Sequence, residues 1–294
     1  MAHVAFIGLG RMGHGMAGRY LDSGFTLAIW NRSKAKAEDL IARGARWAAS
    51  PADAADGADA VVSMVADDAA SRAVWLGQDG AAGTAKAGTL AIECSTVSYG
   101  HALDLARELR GRGLVYIDSP VTGLPDAAAG GKLTMLVGAE PGDLDSARPY
   151  LAPLSTTVRH FGPAGTGTVY KLINNLMGAI QIAGLAEGLA IAEQAGLDMK
   201  LVLEALETGV AASPQVIRHS KRMVARNFSG PTFTAALRHK DAVYAVALAE
   251  SLLSNAPLMG RAAVQAYDRA KAYAPDDDEG KMIEIASRPK GSAP

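Results

Sequence analysis

The sequence predicts an α/β fold in which a doubly wound, mainly parallel sheet is followed by a long helix and an all-helical second half. The first half alternates short apolar runs with helix-like stretches, a pattern typical of parallel sheets covered by helices on both faces. This alternation ends near Phe161–Gly165, where glycine and proline interrupt the chain. From Thr166 onward the apolar residues follow helical periodicity. We therefore expect one domain over residues 1–163 and an all-helical domain over residues 164–294.

The strands of the first domain are predicted from apolar runs of four or five residues bounded by turn residues. These runs are His3–Ile7, Thr26–Trp30, Ala60–Met64, Thr89–Glu93, Leu114–Ile117, Leu133–Val137 and Thr157–Phe161. The helix-like stretches between them are Met12–Ser23, Ser33–Arg43, Ala69–Leu76, His101–Arg110 and Gly142–Ala152.

The second domain is predicted to open with a helix over residues 168–195. Its small residues would let neighbouring helices approach closely, namely Gly178, Ala179, Ala183, Gly184 and Gly188. Asn174, Asn175, Gln181 and Glu187 interrupt its apolar surface, which favours a buried core helix over a membrane span.

The remaining helices are predicted from their caps and apolar periodicity. Asp198 can cap the next helix and Gly209 can end it. Further helices fit Ser213–Arg226, Thr234–Leu253 and Leu258–Tyr273. The acidic run Asp276–Glu279 is expected to act only as favourable charge at the start of a short last helix. The cations Arg218, Lys221, Arg222 and Arg226 are interpreted as a solvated face.

Composition and charge limit the classes of function. Hydrophobic residues make up 49% of the 294 residues and charged residues 20%, as in ordinary globular proteins. The net charge of −1 provides no basic surface for nucleic acid. The single cysteine, Cys94, cannot form an intrachain disulfide, and the first residues lack a signal-peptide pattern. We therefore expect a cytoplasmic protein in which Cys94 is a small buried residue, with no nucleic-acid or membrane partner.

A glycine-rich motif, G-x-G-x-x-G, directly follows the first predicted strand and opens the first helix. Gly8 would form the tight turn, Gly10 would admit a pyrophosphate close to the backbone, and Gly13 would let the helix pack on the strand. The helix N-terminus presents N–H groups to the anion. The motif predicts a Rossmann-type dinucleotide site formed by Gly8, Leu9, Gly10, Arg11, Met12 and Gly13.

The end of the second strand indicates which dinucleotide is bound. Asn31 stands 31 − 8 = 23 positions after Gly8, where NAD enzymes usually have an acidic residue that binds the ribose 2′-hydroxyl. Here Arg32 and Ser33 follow instead, and they would bind a 2′-phosphate. We therefore expect NADP, with NADPH preferred over NADH, and cofactor contacts from Asn31, Arg32 and Ser33.

Lys171 and Asn175 are predicted one turn apart on the long helix, among small apolar residues. A lysine that extends to solvent at the helix start would explain the cation without a function. A functional explanation is proton transfer, because hydride transfer to a carbonyl leaves an alkoxide that needs a proton. Desolvation and a nearby positive charge would lower the lysine pKa from about 10.4 toward neutrality for this role.

Several motifs together resemble the β-hydroxyacid dehydrogenase family, which includes 3-hydroxyisobutyrate dehydrogenase and semialdehyde reductases. In chain order they are Gly8–Met16, Asn31–Ser33, Ser95–Val97, Asp118–Gly123, Gly165–Asn175 and Lys240–Asp241. The resemblance covers nearly the whole chain. It implies an N-terminal Rossmann-type domain, a long interdomain helix, an all-helical C-terminal domain and an active site in the cleft between the domains.

The resemblance also implies roles for individual residues. Lys171 would be the catalytic acid/base, and Asn175 would orient the substrate. The segment that contains Ser119, Thr122 and Gly123 would bind the substrate carboxylate. Further cofactor contacts would come from Met64, Val65, Ala66, Thr96 and Lys240. The substrate would be a small hydroxy acid or its semialdehyde.

Other functions stay open at this point. Leu124-Pro125-Asp126 departs from the family's small-residue loop, so the resemblance does not fix the substrate. An imine or bulkier-carbonyl reductase of the same fold is one alternative, although such enzymes usually lack the lysine. A non-catalytic NADP-binding module is another. The histidines and Cys94 show no metal-ligand spacing, so no metal is expected. Abundant small apolar surface in the helical half predicts a homodimer or homotetramer.

Overall fold

The structure is a computed structural model that describes residues 2–231 and 233–288. The chain forms two compact units, of which the first ends at Lys171 and the second begins at Leu172.

The first unit alternates strands and helices. Its strands are β1 (His3–Ile7), β2 (Thr26–Trp30), β3 (Arg46–Trp47), β4 (Ala60–Ser63), β5 (Leu90–Glu93), β6 (Val115–Asp118), β7 (Val121–Thr122), β8 (Leu133–Gly138) and β9 (Ser155–Gly162). Its helices are α1 (Gly13–Asp22), α2 (Glu38–Ala42), α3 (Pro51–Ala55), α4 (Asp68–Leu76), α5 (Tyr99–Gly111), α6 (Pro125–Ala129) and α7 (Pro141–Leu151). A further helix, α8 (Thr166–Gln194), begins in this unit and continues into the second.

The strands form one sheet in the order β3-β2-β1-β4-β5-β6-β8-β7, with β9 paired to β8. Strands β1 to β6 pair in parallel, whereas β8 runs antiparallel to β6 and β7. The chain runs from β1 to one edge and then returns to β4 on the other side of β1. The carboxyl ends of β1 and β4 therefore form the topological switch point, where ligands bind in such sheets.

Both faces of the sheet are covered. Alternate residues of β1 point to opposite sides, so that Val4 and Phe6 belong to one buried cluster and Ala5 and Ile7 to the other. This arrangement confirms the predicted doubly wound sheet.

Several short elements were not predicted in the first unit. Strands β3 and β7 have two residues each, too few to show an alternating pattern. Helices α3 and α6 have five residues each and begin at Pro51 and Pro125, a favoured first helical position. The helix predicted over Ser33–Arg43 is divided into a 3₁₀ turn, Lys34–Ala37, and α2.

The second unit is all-helical, as predicted. After α8 come α9 (Met199–Thr208), α10 (Pro214–Val224), α11 (Ala235–Leu252), α12 (Leu258–Tyr273) and α13 (Met282–Ala286). Asp198 caps α9, and Ser213 caps α10. The unit's core contains Ile182 and Leu189 of α8 together with buried residues of α10 to α13.

The prediction about small residues on α8 is correct only in part. A Cβ atom on Gly178 would lie 3.0 Å from a guanidinium nitrogen of Arg238, so this glycine allows a close approach. Outside the backbone of α8, no described atom lies within 4 Å of a Cβ placed on Gly184 or Gly188, so these two do not serve helix packing among the described residues. By length and composition α8 could cross a membrane, and half of its most apolar window is buried within the chain.

The interpretation of the acidic run was correct only in part. Asp278 caps the 3₁₀ turn Glu279–Lys281, where its Oδ1 accepts the N–H of Gly280 at 3.0 Å, but Asp278 and Glu279 are also buried and pair with arginines. Glu279 accepts hydrogen bonds from Nε and Nη2 of Arg238, at 2.7 and 2.9 Å, and from the hydroxyl of Tyr267 at 2.9 Å. Burial opposes ionisation of Glu279, yet the neighbouring Arg238 holds its pKa below the usual value.

The proposed solvated face on α10 was also wrong in part. Lys221 is exposed, but Arg222 pairs with the buried Asp278 at 3.2 Å. Arg226 pairs with Glu193 at 2.8 Å. Arg222 therefore connects α10 to the segment after α12, and Arg226 connects the end of α10 to the end of α8.

Candidate active site

The glycine-rich loop lies at the switch point between β1 and β4. Gly8 has a φ of +101°, and a Cβ on it would collide with the backbone carbonyl of Met64. A Cβ on Gly13 would collide with the carbonyl of Gly8. Gly10 is exposed, and no described atom lies within 4 Å of its Cβ position. The first and third glycines therefore close the turn, whereas the second leaves open space for a ligand, which fits a dinucleotide pyrophosphate.

The N-terminus of α1 faces this space without a side-chain cap or an acidic residue in its first turn. Its first N–H groups are thus suited to an anion. The side chain of Leu9 is buried, so only its backbone can serve the ligand. Its N–H donates to Oδ1 of Asn31 at 3.0 Å, and Nδ2 of Asn31 donates to the carbonyl of Ser33 at 2.9 Å. Asn31 therefore fixes the loop to the end of β2.

Positive charge surrounds the end of β2. Arg32, Ser33, Lys34 and Lys36 are all exposed there. Of the acidic residues next along the chain, Asp39 is paired with Nε2 of His14 at 2.9 Å. The hydrogen bond from His14 is the main cause that lowers the pKa of Asp39. This part of the structure therefore favours an anionic group on the ligand.

Two further predicted cofactor segments lie at the neighbouring strand ends. Met64 and Val65 are half-buried after β4, Ala66 is exposed, and Thr96 is half-buried after β5. The N–H of Val65 donates to Oγ of Ser95 at 2.8 Å, which joins the two segments.

Lys171 lies beside the predicted substrate loop. Its Nζ donates a hydrogen bond to the carbonyl of Val121 at 2.8 Å. The next residue, Thr122, is half-buried, and Gly123 is exposed with a φ of +137°. A Cβ on Gly123 would lie 2.6 Å from Cδ2 of Leu133, so the loop requires glycine for both conformation and space. The structure thus brings Lys171, Thr122 and Gly123 together.

Ser119 differs from the other predicted substrate residues. It has no exposed surface, and its hydroxyl has no hydrogen-bond partner among the described residues. Its assignment to the substrate stays a prediction.

Asp118 fixes the start of α8 against β6. Its carboxylate is completely buried and accepts hydrogen bonds from the N–H and the hydroxyl of Thr168, at 2.8 and 2.6 Å. Burial raises the pKa of Asp118 to about 6, although the bonds from Thr168 oppose this shift. Because Thr168 and Lys171 are three positions apart on one helix, these bonds help to direct the lysine.

In the second unit, Asn175 and Lys240 are connected through one carboxylate. Nδ2 of Asn175 donates to Oδ2 of Asp241 at 2.6 Å, and Nζ of Lys240 lies 2.9 Å from Oδ1 of the same side chain. Arg238 also donates to the backbone carbonyl of Asn175, at 3.3 Å. Asn175 is nearly buried, and it lies one helical turn from Lys171 on α8.

Three buried acids, Glu93, Asp118 and Asp241, were not among the predicted site residues. Asp118 and Asp241 belong to motifs of the family resemblance, and Glu93 ends the predicted strand Thr89–Glu93. Two of the three stand at carboxyl ends of parallel strands, a signal that could have identified them.

Cys94 is buried as predicted, and burial raises the pKa of its thiol. Within residues 2–231 and 233–288, no group of three or more His, Cys, Asp and Glu residues could hold a metal.

Comparison with protein families agrees with this geometry. Residues 3–162 match the family described as the NAD binding domain of 6-phosphogluconate dehydrogenase. Residues 165–286 match the family described as NAD-binding of NADP-dependent 3-hydroxyisobutyrate dehydrogenase.

Individual relatives match over nearly their whole length. An NAD-dependent L-serine dehydrogenase from Pseudomonas aeruginosa is 34% identical over 276 residues, 91% of each chain. A 3-hydroxyisobutyrate dehydrogenase from Mycobacterium tuberculosis, solved with L-serine, has a TM-score of 0.89 and 27% identity over 98% of this chain and all of its own. Psf3, solved with NADP+ and 2-OPP, has a TM-score of 0.85 and 26% identity over 96% of this chain and 99% of its own.

Proposed function

Because this chain belongs to the β-hydroxyacid dehydrogenase family, we propose that it transfers a hydride between NADP(H) and a small β-hydroxy acid or its semialdehyde. The observation that carries the proposal is the amine of Lys171, 2.8 Å from the carbonyl of Val121 at the edge of the loop Thr122-Gly123. A substrate bound by this loop would be within reach of the lysine proton.

Lys171 is proposed as the general acid/base. When bound, NADPH would supply the hydride for reduction and NADP+ would accept it in oxidation. In reduction, Nζ of Lys171 donates a proton to the carbonyl oxygen of the substrate, and in oxidation it removes the proton of the hydroxyl. The bond to the Val121 carbonyl holds the amine in place, and the two bonds from Thr168 to Asp118 hold the helix that carries it.

A carboxylate is the group that Thr122 and Gly123 are best suited to bind. The hydroxyl of Thr122 and the backbone N–H groups of this loop are donors, and such loops bind anions. The amide of Asn175, held by Asp241, is proposed to orient the substrate's polar groups. The names of two relatives support this class of substrate, because L-serine and 3-hydroxyisobutyrate both carry a hydroxyl β to a carboxylate.

NADPH is proposed as the preferred cofactor. Exposed Arg32 and Ser33 at the end of β2 support binding of a 2′-phosphate. The C-terminal family is named for an NADP-dependent enzyme, and Psf3 was solved with NADP+, whereas the Pseudomonas aeruginosa relative is named NAD-dependent. The cofactor contacts assigned to Thr96, Lys240, Met64, Val65 and Ala66 belong to the same proposal.

The test is a substrate panel that is read by nicotinamide absorbance. Wild-type protein is assayed with L-serine, 3-hydroxyisobutyrate, glyoxylate, succinic semialdehyde and a cyclic imine. We expect turnover of a hydroxy acid or semialdehyde, and a loss of at least about a thousandfold in kcat for Lys171→Ala with NADPH affinity unchanged.

Two further variants sharpen this test. Lys171→Arg keeps the charge but cannot release a proton near neutrality, so it should be as inactive as Lys171→Ala. Lys200→Ala removes an exposed lysine on α9 and should retain wild-type activity. Full activity in Lys171→Ala would overturn the assignment of the acid/base. Turnover of the imine alone would favour an imine reductase, and nucleotide binding without turnover would favour a binding module.

A homodimer or homotetramer is proposed as the functional assembly. One face of α8 exposes Ile173, Met177 and Ile191 to solvent in the single chain, beside the open positions of Gly184 and Gly188. Light scattering should give a mass of at least twice 30.3 kDa at micromolar concentration, and a monomer would contradict the proposal. A cytoplasmic location is proposed from the single buried, unpaired cysteine.

A further inference from the structure

Glu93 is a carboxylate without exposed surface at the carboxyl end of β5. Its Oε2 accepts hydrogen bonds from the hydroxyl of Ser71 at 2.6 Å and from Nε1 of Trp75 at 2.9 Å. Its Oε1 accepts from the backbone N–H of Ser95 at 2.8 Å. One buried side chain therefore contacts α4 and the segment that follows its own strand.

The direction of these hydrogen bonds distinguishes the cluster from a nucleophilic site. Ser71 has one hydroxyl proton, and it is donated to Glu93. The contact of 3.0 Å between Oγ of Ser71 and Nε2 of His101 must then have the histidine as donor. A serine nucleophile would instead donate its proton to the histidine. The cluster therefore holds the carboxylate in place: Ser71 donates to Glu93, and His101 donates to Ser71.

The contact with Ser95 continues to a second loop. Oγ of Ser95 accepts the N–H of Val65 at 2.8 Å. Glu93 thereby fixes the backbone of Ser95, and the hydroxyl of Ser95 fixes the backbone of Val65. These residues belong to the two segments that were assigned to the cofactor, Met64–Ala66 and the loop containing Thr96.

We propose that Glu93 is a positioning residue of the dinucleotide site, which holds the loops after β4 and β5 in register through Ser95. This inference rests on the proposed function, because it assumes that both loops contact the nucleotide. Burial of a carboxylate at this point is costly, and an apolar side chain could fill the space at a lower cost. The carboxylate of Glu93 is present because three hydrogen bonds must be accepted at this one place. Two of them hold α4, and one holds the loop after β5.

The experiment measures NADPH affinity by fluorescence titration for Glu93→Gln, Ser95→Ala and the double variant. The glutamine has nearly the same shape, but its NH₂ group must face at least one of the donors. We expect the Kd for NADPH to rise about tenfold in each single variant, as for loss of a hydrogen bond to a charged or fixed group. The KM for NADPH should rise equally, while kcat at saturating nucleotide stays within about twofold.

The double variant tests the connection itself. If Glu93 acts through Ser95, the double variant should bind NADPH within about threefold of either single variant. If the two residues acted independently, the two tenfold losses would multiply, and the double variant would bind about a hundredfold more weakly than wild type. Multiplied losses would overturn the proposal, because they would show that the two residues act independently.

A matched control separates positioning from general stability. Thr89→Val removes a buried hydroxyl that donates to the carbonyl of Ala58 at 3.2 Å, immediately before the other end of β5. This variant should lower the melting temperature but leave the Kd for NADPH within about twofold. The proposal is also overturned if Glu93→Gln binds NADPH like wild type, or loses affinity only in proportion to its melting temperature as Thr89→Val does.

The outcomes distinguish this inference from the proposed function. Wild-type protein that binds neither NADPH nor NADH would contradict the function itself. Wild-type binding together with unchanged affinity in Glu93→Gln contradicts only the role of Glu93. If Glu93→Gln fails to fold, Ser95→Ala decides alone, since it removes the acceptor of Val65 and leaves the carboxylate bonds intact.

Discussion

Asp118 combines complete burial with two hydrogen bonds from Thr168, at the start of the helix that carries Lys171. The two effects act on its protonation in opposite directions, and burial is the larger one. The side chain is therefore a structural group whose charge state depends on pH near the neutral range.

This dependence gives a prediction for Asp118→Asn. The pKa of Asp118 is raised in the folded state from 3.8 to about 6. The native state therefore binds this proton more tightly than the unfolded state does. The stability that protonated Asp118 contributes is fully present below about pH 4 and is lost as the pH rises through about 6. The free energy of unfolding of wild type minus that of Asp118→Asn should fall by up to about 3 kcal/mol between pH 4 and pH 7. Urea denaturation at both pH values measures it, and a difference that grows with pH contradicts the burial argument.

Gly123→Ala is predicted to damage the substrate loop. The φ of +137° strains any other residue, and the added Cβ would lie 2.6 Å from Leu133. Such strain costs about 1–3 kcal/mol, and the loop must move to relieve it. We expect the KM of the acid substrate to rise about tenfold or more while NADPH affinity is kept.

The matched control for this glycine is Gly142→Ala at the start of α7, where no described atom lies near the added Cβ. Steady-state kinetics of the two variants provide the comparison. An unchanged KM in Gly123→Ala would remove this loop from the proposed substrate site.

Arg32→Ala is predicted to change the choice of cofactor. Arg32 is exposed at the end of β2, and the next acidic residues along the chain are Glu38 and Asp39. Loss of one charge-assisted bond to a 2′-phosphate should lower the ratio of kcat/KM for NADPH to that for NADH about tenfold. Arg107→Ala, an exposed arginine on α5, should leave the ratio unchanged. The phosphate argument fails if the two variants give the same ratio.

At the scale of elements, strands and helices with four or more patterned residues could be predicted from the sequence. Strands β1 and β2 and helix α12 have the predicted bounds, because turn residues or prolines flank strong apolar patterns. Strand β7 could not be predicted, because it owes its two residues to pairing with β8, a contact between distant parts of the chain. Propensity alone does not specify such pairing.

The candidate site was predictable to a similar extent. The glycine-rich loop has a local signal, since Gly8, Gly10 and Gly13 each have a fixed role in one turn. The neighbours of Lys171 have no such signal, because its contact with Val121 spans 50 positions. The same holds for Ser71 of α4 and Glu93 of β5, which are 22 positions apart and meet only when the helix packs against the sheet.

Asp198→Ala is predicted to destabilise the start of α9. Oδ1 of Asp198 accepts the N–H of Lys200 at 2.9 Å, and loss of a helix cap costs about 1 kcal/mol. Thermal denaturation should show a lower melting temperature. Asp104→Ala, which removes an exposed acid within α5, should change the free energy of unfolding by less than about 0.5 kcal/mol. Equal effects of the two changes would contradict the capping role.

At the scale of the whole molecule, the two units bury polar groups for different purposes. In the first, Glu93 and Asp118 stand at strand ends, where Glu93 holds the segment after β5 and Asp118 holds the start of α8. In the second, Arg238 and Glu279 lie among helices, where they join α11, α12 and the last segment of the described chain. The second unit has few large aromatic residues in its core, so this ion pair specifies an arrangement that small side chains alone would define poorly.

The ion pair therefore yields a prediction for the stability of the second unit. Removing one partner, as in Glu279→Leu or Arg238→Met, leaves an uncompensated buried group and should cost about 3–5 kcal/mol. Changing both, Arg238→Met with Glu279→Leu, should cost much less than the sum, because neither charge then needs a partner. Urea denaturation of the four proteins gives the coupling free energy, and the exposed pair Arg261 and Glu250 serves as control, with an expected value of about 0–1 kcal/mol. If the buried pair shows a coupling no larger than the exposed one, the last segment is held by apolar contacts of Met282 and Ile283 instead.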